Sequence, residues 1–259
     1  MKKFFELKPV IFTTGGAEPG LLDDTIQNFK NAIRLGSDVI RTNIFITKDR
    51  KIVVASDELY RQKDLIKTGT GCCSLIDLRA NYQRTSGQNI QGSEGVIFPE
   101  LTKVLDMFPE QRFNFILPFK SKELSSEFCG ILGRKKAVER TLVSSFSNFN
   151  FKIIRARFPD IATSFSFPGI IGFYALYKSG LLYFKKKFRA DAMMMQEMVG
   201  ASRIANEGLI HEAKLRGIGV YILAISSEEQ ARGLLKAGVD GFVTNNIDMI
   251  HCVAGITWH

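Results

Sequence analysis

The sequence contains no apolar run long enough to cross a bilayer, although 45% of its 259 residues are hydrophobic. A spanning helix needs about 18 or more consecutive residues with few or no charges. The nearest candidate, residues 165–184, is interrupted by Lys178, Pro168 and three glycines. The sequence therefore predicts no transmembrane helix.

Cysteine and histidine are also scarce. Of the four cysteines, Cys72 and Cys73 are adjacent and the other two are isolated, which predicts neither a zinc site nor a disulfide framework. Of the three histidines, His211 lies in a predicted helix, while His251 and His259 lie in what we interpret as a C-terminal tail without a functional role. The first nine residues lack a continuous apolar segment and a cleavage site, so we expect a cytoplasmic protein.

Acidic residues are outnumbered by basic ones, 26 to 35, and the formal net charge is +9. This excess favours anionic partners, which include nucleic acids, anionic bilayers and phosphate esters. The sequence has no helix-turn-helix, zinc or aromatic-basic pattern of a nucleic-acid binder, so nucleic acid is not the expected partner.

Strand-like apolar runs alternate with segments of helical period along the whole chain, which is typical of βα units around a parallel sheet. About eight strands are predicted, and we expect a closed (β/α)8 TIM barrel in one domain, residues 1–259, with a small excursion at residues 57–98. The predicted strands include residues 10–14, 38–46, 52–55, 113–119, 141–145, 161–164, 219–225 and 241–244. Functional groups of such barrels lie at the carboxyl ends of the strands.

Three stretches of the chain carry recognisable motifs. The first runs from the Thr-Thr-Gly-Gly-Ala turn at residues 13–17 to the Ile-Thr-Lys-Asp of residues 46–49. The second is Ala190-Asp-Ala192 with Glu197, Gly200 and Arg203, and the third extends from residue 211 to residue 244. Together they resemble the glycerophosphodiester phosphodiesterase family, in the family's order and over nearly the whole chain. The resemblance implies a barrel of the phospholipase-C-like phosphodiesterase type.

The resemblance also shows where the sequence departs from the family's catalytic residues. Members typically have a His-Arg pair at the end of the first strand, and this chain has Thr14 and Gly15 there. A second catalytic histidine precedes an aspartate in the family, whereas Ser56 precedes Asp57 here. General acid–base catalysis near neutral pH needs a histidine or a tuned carboxylate, so the resemblance implies that no catalytic residue of this set remains.

The metal-binding carboxylates of the family are replaced in the same way. The second strand would supply a glutamate and an aspartate, but Arg41 and Asn43 occupy those positions. The third metal-binding glutamate is replaced by Pro118, although the lysine two residues later remains as Lys120. The family uses calcium or magnesium, which require several oxygen ligands, so we predict that this chain binds no metal cofactor at these positions.

Two functional hypotheses follow. The first is a catalytically inactive member that binds a phosphate-bearing metabolite, a glycerophosphodiester or a lipid. The second is an active phosphoric diester hydrolase of glycerophospholipid metabolism that releases glycerol 3-phosphate from a displaced site. Four carboxylates near the first strands could rebuild such a site: Glu18, Asp23, Asp24 and Asp57.

A phosphate site is predicted at the mouth of the barrel. Arg41, Asn43 and Lys120 are its candidate residues, because a guanidinium presents a planar set of donors to phosphate and lysine adds a mobile charge. The alternative is that Arg41 pairs with Asp57 or Asp23 and only fills the mouth.

Residues 165–188 form the other unusual segment, since aromatic and apolar residues run directly into Lys185-Lys-Lys187. This composition suits a helical lid at residues 169–187 that contacts an anionic membrane as a peripheral protein. The alternative is a helix packed on the barrel wall with a solvated basic end. Met193-Met-Met195 is interpreted as core or pocket lining.

Overall fold

The computed structural model describes residues 3–5, 10–16, 23–55, 73–86, 97–200 and 202–255. Eight of its strands are parallel, and their order around the sheet is β6-β5-β4-β2-β1-β11-β10-β7. The strands are β1 (Val10–Thr14), β2 (Val39–Ile46), β3 (Ile52–Ala55), β4 (Arg112–Leu117), β5 (Thr141–Ser145), β6 (Ala162–Thr163), β7 (Ala192–Gln196), β8 (Met198–Val199), β9 (Ser202–Arg203), β10 (Gly219–Leu223) and β11 (Gly241–Val243).

Backbone hydrogen bonds bring the two ends of this sheet together. The amide of Phe165 donates to the carbonyl of Ala192 at 2.8 Å, and the amide of Asp191 donates to the carbonyl of Thr163 at 2.8 Å. A parallel bridge between Ser164 and Ala192 joins β6 to β7 at the same place. The sheet is therefore the nearly closed eight-stranded barrel that the alternating pattern predicted.

Most of the helices surround the barrel because they follow a barrel strand and return the chain to the opposite end. They are α1 (Ile26–Arg34), α2 (Leu75–Ser86), α3 (Leu101–Met107), α4 (Lys122–Arg134), α5 (Asn148–Arg157), α6 (Phe167–Lys178), α7 (Glu207–Leu215), α8 (Glu228–Ala237) and α9 (Ile247–Ala254). Short 3-10 helices occupy Lys3–Phe5 and Leu181–Phe184. None of the helices in the described part of the chain is long and apolar enough to span a membrane.

Two elements lie outside the regular βα alternation. Strand β3 pairs antiparallel with β2, from Asn43 opposite Ala55 to Ile46 opposite Ile52, and so lies beside the barrel rather than in it. The short strands β8 and β9 form an antiparallel hairpin after β7. The predicted excursion at residues 57–98 lies largely outside the described residues, and α2 falls within it.

Two sequence-based predictions were wrong. The spacing of Ser226 and Glu229 predicts a capping box at the start of α8, but the N-cap is Ser227, whose hydroxyl accepts from the amide of Gln230 at 3.2 Å. His251 does not lie in a C-terminal tail, because it belongs to α9 and its side chain is buried. His211 is exposed on α7, as expected for a surface residue.

The barrel interior is apolar at its amino-terminal end. Phe12 of β1 packs edge-on against the ring of Tyr221 of β10, with 4.9 Å between centroids. The 3-10 helix closes this end, because Phe5 stacks on Tyr221 at 6.1 Å and the guanidinium of Arg112 donates to the carbonyl of Phe4 at 2.8 Å. This end therefore serves as a hydrophobic floor beneath the mouth.

Candidate site at the carboxyl end of the barrel

The turn after β1 is shaped by two glycines with positive φ angles, Gly15 at +69° and Gly16 at +127°. A Cβ atom on Gly16 would lie 2.1 Å from the side chain of Asn28, which itself is fully buried. Only glycine can occupy this position without displacing the start of α1. The amide of Gly15 then donates to the carbonyl of Arg41 at 3.0 Å, and this bond holds the turn against β2.

Strand β2 directs Arg41 and Asn43 to the barrel interior, because Thr42 between them points to the opposite face. Thr14 and Arg41 are register partners, and Nη1 of Arg41 donates to the hydroxyl of Thr14 at 3.4 Å. Asn43 is buried and Arg41 is half-buried. The structure therefore brings three of the predicted residues together at the mouth.

The end of β4 contributes less to this group. Pro118 directly follows the strand and is half-buried, whereas Lys120 is exposed. The Nζ atom of Lys120 lies 5.1 Å from the centre of the Phe149 ring at the start of α5. The lysine side chain is thus held by a neighbouring helix, and it would have to leave that ring to reach Arg41.

Polar residues that the sequence analysis missed lie beneath the mouth. The side-chain amide of Asn114 donates to the hydroxyl of Ser144 at 2.9 Å, and the hydroxyl of Ser164 donates to the same oxygen at 2.9 Å. Asn114 is the register partner of Arg41, and its buried Oδ1 accepts no hydrogen bond within the described part of the chain. Their signal in the sequence was a polar residue within a mainly apolar strand, as with Asn114 in β4.

The far side of the mouth is formed by β7 and β11. Met194 is partly buried against the apolar interior cluster, while Met193 and Met195 are buried in the layer between strands and helices, as predicted for core or lining residues. Beyond β11, the side-chain oxygen of Asn245 accepts from the amide of Thr14 at 3.1 Å. Asn245 was not predicted, and it fixes the end of β1 from the side opposite Arg41.

The described mouth residues do not fit a calcium or magnesium ion. Such cations need several oxygen ligands, and carboxylates are the usual ones. Arg41 brings positive charge to this position, Asn43 offers a single neutral oxygen, and Pro118 has no side-chain donor atom. Within residues 3–5, 10–16, 23–55, 73–86, 97–200 and 202–255, no three histidine, cysteine, aspartate or glutamate side chains gather in a group that could hold a metal.

The predicted alternatives for these residues are tested only where the structure describes them. Asp24 is buried, and its carboxylate accepts from the hydroxyl of Thr42. Since Thr42 points away from Arg41, this carboxylate oxygen lies on the helix side of β2. A Cβ atom on Gly15, in the turn at the mouth, would lie 3.4 Å from the other oxygen of Asp24 and 3.0 Å from the side chain of Asp23. Ser56, Asp57 and Glu18 lie outside the described residues, so a pair of Arg41 with Asp57 stays a prediction, as does a pair with Asp23.

Burial shifts the pKa of three groups at or beside the amino-terminal end of the barrel. Burial raises the pKa of Asp38, although the Ile11 amide and Arg112 oppose this effect. Burial lowers the pKa of His251, and it raises the pKa of Tyr221. These groups lie away from the mouth, so their shifts reflect packing and do not indicate a catalytic site there.

Known proteins resemble this chain over almost its full length. The model of the glycerophosphoryl diester phosphodiesterase family matches residues 15–249. The glycerophosphodiester phosphodiesterase of Caldanaerobacter subterraneus is 23% identical over 93% of this chain and 95% of its own, and human lysophospholipase D GDPD1 is 22% identical over 89% and 81%. The structure of an Oleispira antarctica phosphodiesterase in complex with the product sn-glycerol-3-phosphate has a TM-score of 0.65 at 13% identity, and the match covers 96% of this chain and 97% of that one. The structural similarity shows that the two proteins share the barrel fold.

Proposed function

The chain belongs to the glycerophosphoryl diester phosphodiesterase family, and we propose that it binds a phosphate-bearing metabolite or lipid at its mouth without hydrolysing it. The observation that carries this proposal is the guanidinium of Arg41, which stands beside the neutral Thr14 and Asn43. A fixed cation at this position attracts the phosphate of a ligand and repels a divalent metal ion.

The mouth offers a complete set of contacts for such a ligand. Arg41 can donate to two phosphate oxygens through its planar fork, and Thr14 and Asn43 can donate further hydrogen bonds. The free acceptor on Asn114 lies deeper, where a hydroxyl group of a glycerol-like ligand could donate to it. Lys120 would add a second cation if it exchanged its contact with Phe149 for the phosphate.

Hydrolysis lacks its chemical groups in the described mouth. Thr14 and Gly15 have no side chain that acts as an acid or base near neutral pH. His211 is exposed on α7 and His251 is buried in α9 beside Asp38, so neither is positioned for proton transfer at Arg41. These positions support a binding protein that retains the fold of an enzyme family.

The alternative is an active hydrolase with a displaced site that releases glycerol 3-phosphate. The names of the Caldanaerobacter and human relatives support this alternative, because both describe phosphodiester or lysophospholipid hydrolysis. The orientation of Asp24 towards Thr42 weakens it, since this carboxylate lies on the other face of β2 from Arg41. The two hypotheses differ in whether the protein hydrolyses a glycerophosphodiester when a divalent metal is present.

Calorimetry and an assay on the same protein separate the two hypotheses. Glycerol 3-phosphate should bind in the presence of a chelator, and Arg41→Ala should weaken binding by about tenfold or more, because a hydrogen bond to a charged group contributes about 1.5–3 kcal/mol. Arg41→Lys is the matched variant, which keeps the charge but loses the fork, and Lys120→Ala measures the second cation. Turnover of glycerophosphocholine with Mg²⁺ or Ca²⁺ that Asp23→Ala abolishes would establish the alternative.

We propose that this binding protein works in the cytoplasm, at the periphery of an anionic membrane. Cys73, Cys129 and Cys252 are free thiols, as is usual for a protein in a reducing compartment. Burial raises the pKa of Cys129 to about 11, which makes this thiol unreactive. Residues 169–187 would supply the membrane contact, as their composition predicted. Only α6 and the following 3-10 helix of this segment are regular in structure.

A further inference from the structure

Helix α6 differs from the other surface helices in what it presents to solvent. Its residues are apolar on all sides, only Phe173 is buried, and Ile171 is 54% exposed. Helix α8 is a direct contrast, because its exposed positions include Glu228, Glu229 and Arg232. A surface helix ordinarily resembles α8, so the outer face of α6 indicates an apolar environment.

Further exposed apolar side chains follow the three neighbouring strands β5, β6 and β7 at the mouth. Phe146 directly follows β5 and is 63% exposed, and Phe167 at the start of α6 is 65% exposed. Met198 and Val199 of the hairpin after β7 are also exposed. These strands are adjacent in the barrel, so the four side chains form one sector of the rim.

The same sector continues to the amino-terminal end of the barrel. A helix that follows a parallel strand ends beside the start of the next strand, so Leu181–Phe184 lies at that end. Tyr183 is 77% exposed and Phe184 is 78% exposed. Tyr183 and Leu215 of α7 line a cleft of about 430 Å³ there. Of the eleven large hydrophobic side chains exposed within the described residues, nine lie between residues 146 and 215.

The charge of this sector has one sign along α6 and its extension. Residues 161–190 contain no aspartate or glutamate, but they contain four lysines and one arginine. Two of the lysines lie against aromatic rings, with Lys178 5.6 Å from the centre of the Tyr174 ring and Lys185 4.6 Å from that of Phe188. Basic groups interleaved with exposed aromatics suit the boundary between lipid headgroups and acyl chains.

We call the sector formed by α6, the 3-10 helix Leu181–Phe184 and the rim residues Phe146, Met198 and Val199 the α6 surface. We infer that the protein lies on an anionic bilayer through this surface. A second copy of the chain fits it less well, because a symmetric contact would bring the same basic segment against itself. Helix α6 connects the two ends of the barrel, so its contact with the membrane lays the barrel on its side. The rim at Phe146 and Phe167 then meets the lipid headgroups and opens the mouth along the membrane.

The inference extends the proposed membrane contact, but it does not depend on what the mouth binds. The full chain is mixed with vesicles of phosphatidylcholine, with or without phosphatidylglycerol, and sedimented at low and high salt. The protein should sediment with anionic vesicles at low salt and be released as salt rises, because screening shortens the reach of its charges. Lys185→Gln with Lys186→Gln and Lys187→Gln should weaken binding by about a hundredfold, since each lysine near such a surface contributes about fivefold.

Matched variants separate this surface from general charge and hydrophobicity. Lys48→Gln with Lys103→Gln and Lys236→Gln removes the same charge from exposed positions elsewhere and should retain most of the binding. Tyr183→Ser with Phe184→Ser should release the protein, whereas Ile76→Ser, on exposed α2, should not.

Three results would overturn the inference, provided that circular dichroism shows folded variants. The first is an equal loss of vesicle binding in the α6-surface variants and the control variants. The second is equal sedimentation with neutral and anionic vesicles. The third is a dimer that forms without vesicles and that dissociates when Tyr183→Ser and Phe184→Ser are combined. Arg41→Ala distinguishes the two proposals, because it should lose glycerol 3-phosphate and still sediment with vesicles.

Discussion

The two ends of the barrel interior are built from different residues. At the amino-terminal end, Phe12, Tyr221 and the 3-10 helix with Phe4 and Phe5 form a closed apolar floor. At the carboxyl end, Arg41 and a hydrogen-bonded polar group that includes Asn114 line the mouth instead. The strands run from one end to the other, so successive inward positions of one strand have different roles. In β1, Phe12 packs in the floor and Thr14 lines the mouth.

This difference shows how the fold can be stable whatever residues line its mouth. Burial of apolar surface at the floor supplies stability, and it depends on none of the mouth residues. The mouth is free to change as long as its polar groups find partners, as Thr14 does with Arg41 and Asn245. Barrel folds support many chemistries for this reason.

Two substitutions on β1 test this division most strongly. Phe12→Ala removes a fully buried ring from the floor and should lower the free energy of unfolding by about 3–5 kcal/mol. Thr14→Ala, two residues further on the same face, should lower it by about 1 kcal/mol or less, because it loses one long hydrogen bond. Urea denaturation of both variants measures the difference, and equal losses would mean that the mouth contributes to stability as the floor does.

The turn at the mouth is expected to be the exception to this division. Gly16→Ala places a Cβ atom on Asn28 and forces a residue other than glycine to a φ of +127°, so it should cost about 2 kcal/mol or more. Gly233→Ala in α8, where a Cβ meets nothing within 4 Å, should instead stabilise the protein by about 0.5–1 kcal/mol. Thermal denaturation compares the two, and a stable Gly16→Ala variant would contradict the tight turn.

The smallest expected effect is a dependence of stability on pH that arises from His251 and Asp38, beside the amino-terminal end of the barrel. Because burial lowers the pKa of His251 in the folded protein, the unfolded chain binds the proton first, and stability should fall as pH drops below about 6.5. Asp38 has a raised pKa and acts in the opposite direction, but only at lower pH. His251→Gln should reduce the change in urea midpoint between about pH 7 and pH 5, whereas substitution of the exposed histidine, His211→Gln, should leave that change as it is in the wild type. Equal changes in the two variants would mean that another group causes the pH dependence.

Much of the barrel could be predicted from the sequence because its strands are buried on both faces and stand out as apolar runs. The runs at residues 10–14 and 141–145 match β1 and β5 in full. Strand β6 is shorter than predicted, since only Ala162 and Thr163 form a ladder before the chain turns into α6. The start of α8 was misplaced because Ser226 and Ser227 are adjacent and equally suited to cap a helix.

The candidate site was predicted unevenly. Thr14 and Arg41 are register partners, because pairing between β1 and β2 follows from their order in the chain, and Asn43 follows Arg41 on the same face of β2. The sequence could not place Lys120 against Phe149, nor could it identify Asn245 as a partner of Thr14, since both contacts join residues from different βα units. The orientation of Asp24 towards Thr42 likewise depends on the turn that brings α1 against β2.

The sequence by itself determined the barrel and the family resemblance, because strand period and short motifs are local properties of the chain, and it predicts the replacement of charged and histidine residues at the mouth. Only the tertiary structure decided which side chains face one another and which apolar residues stay in solvent. Phe146, Phe184 and Val199 are far apart in the chain and resemble core residues in the sequence. They form one surface because β5, β6 and β7 are neighbours in the closed barrel, and burial depends on that closure.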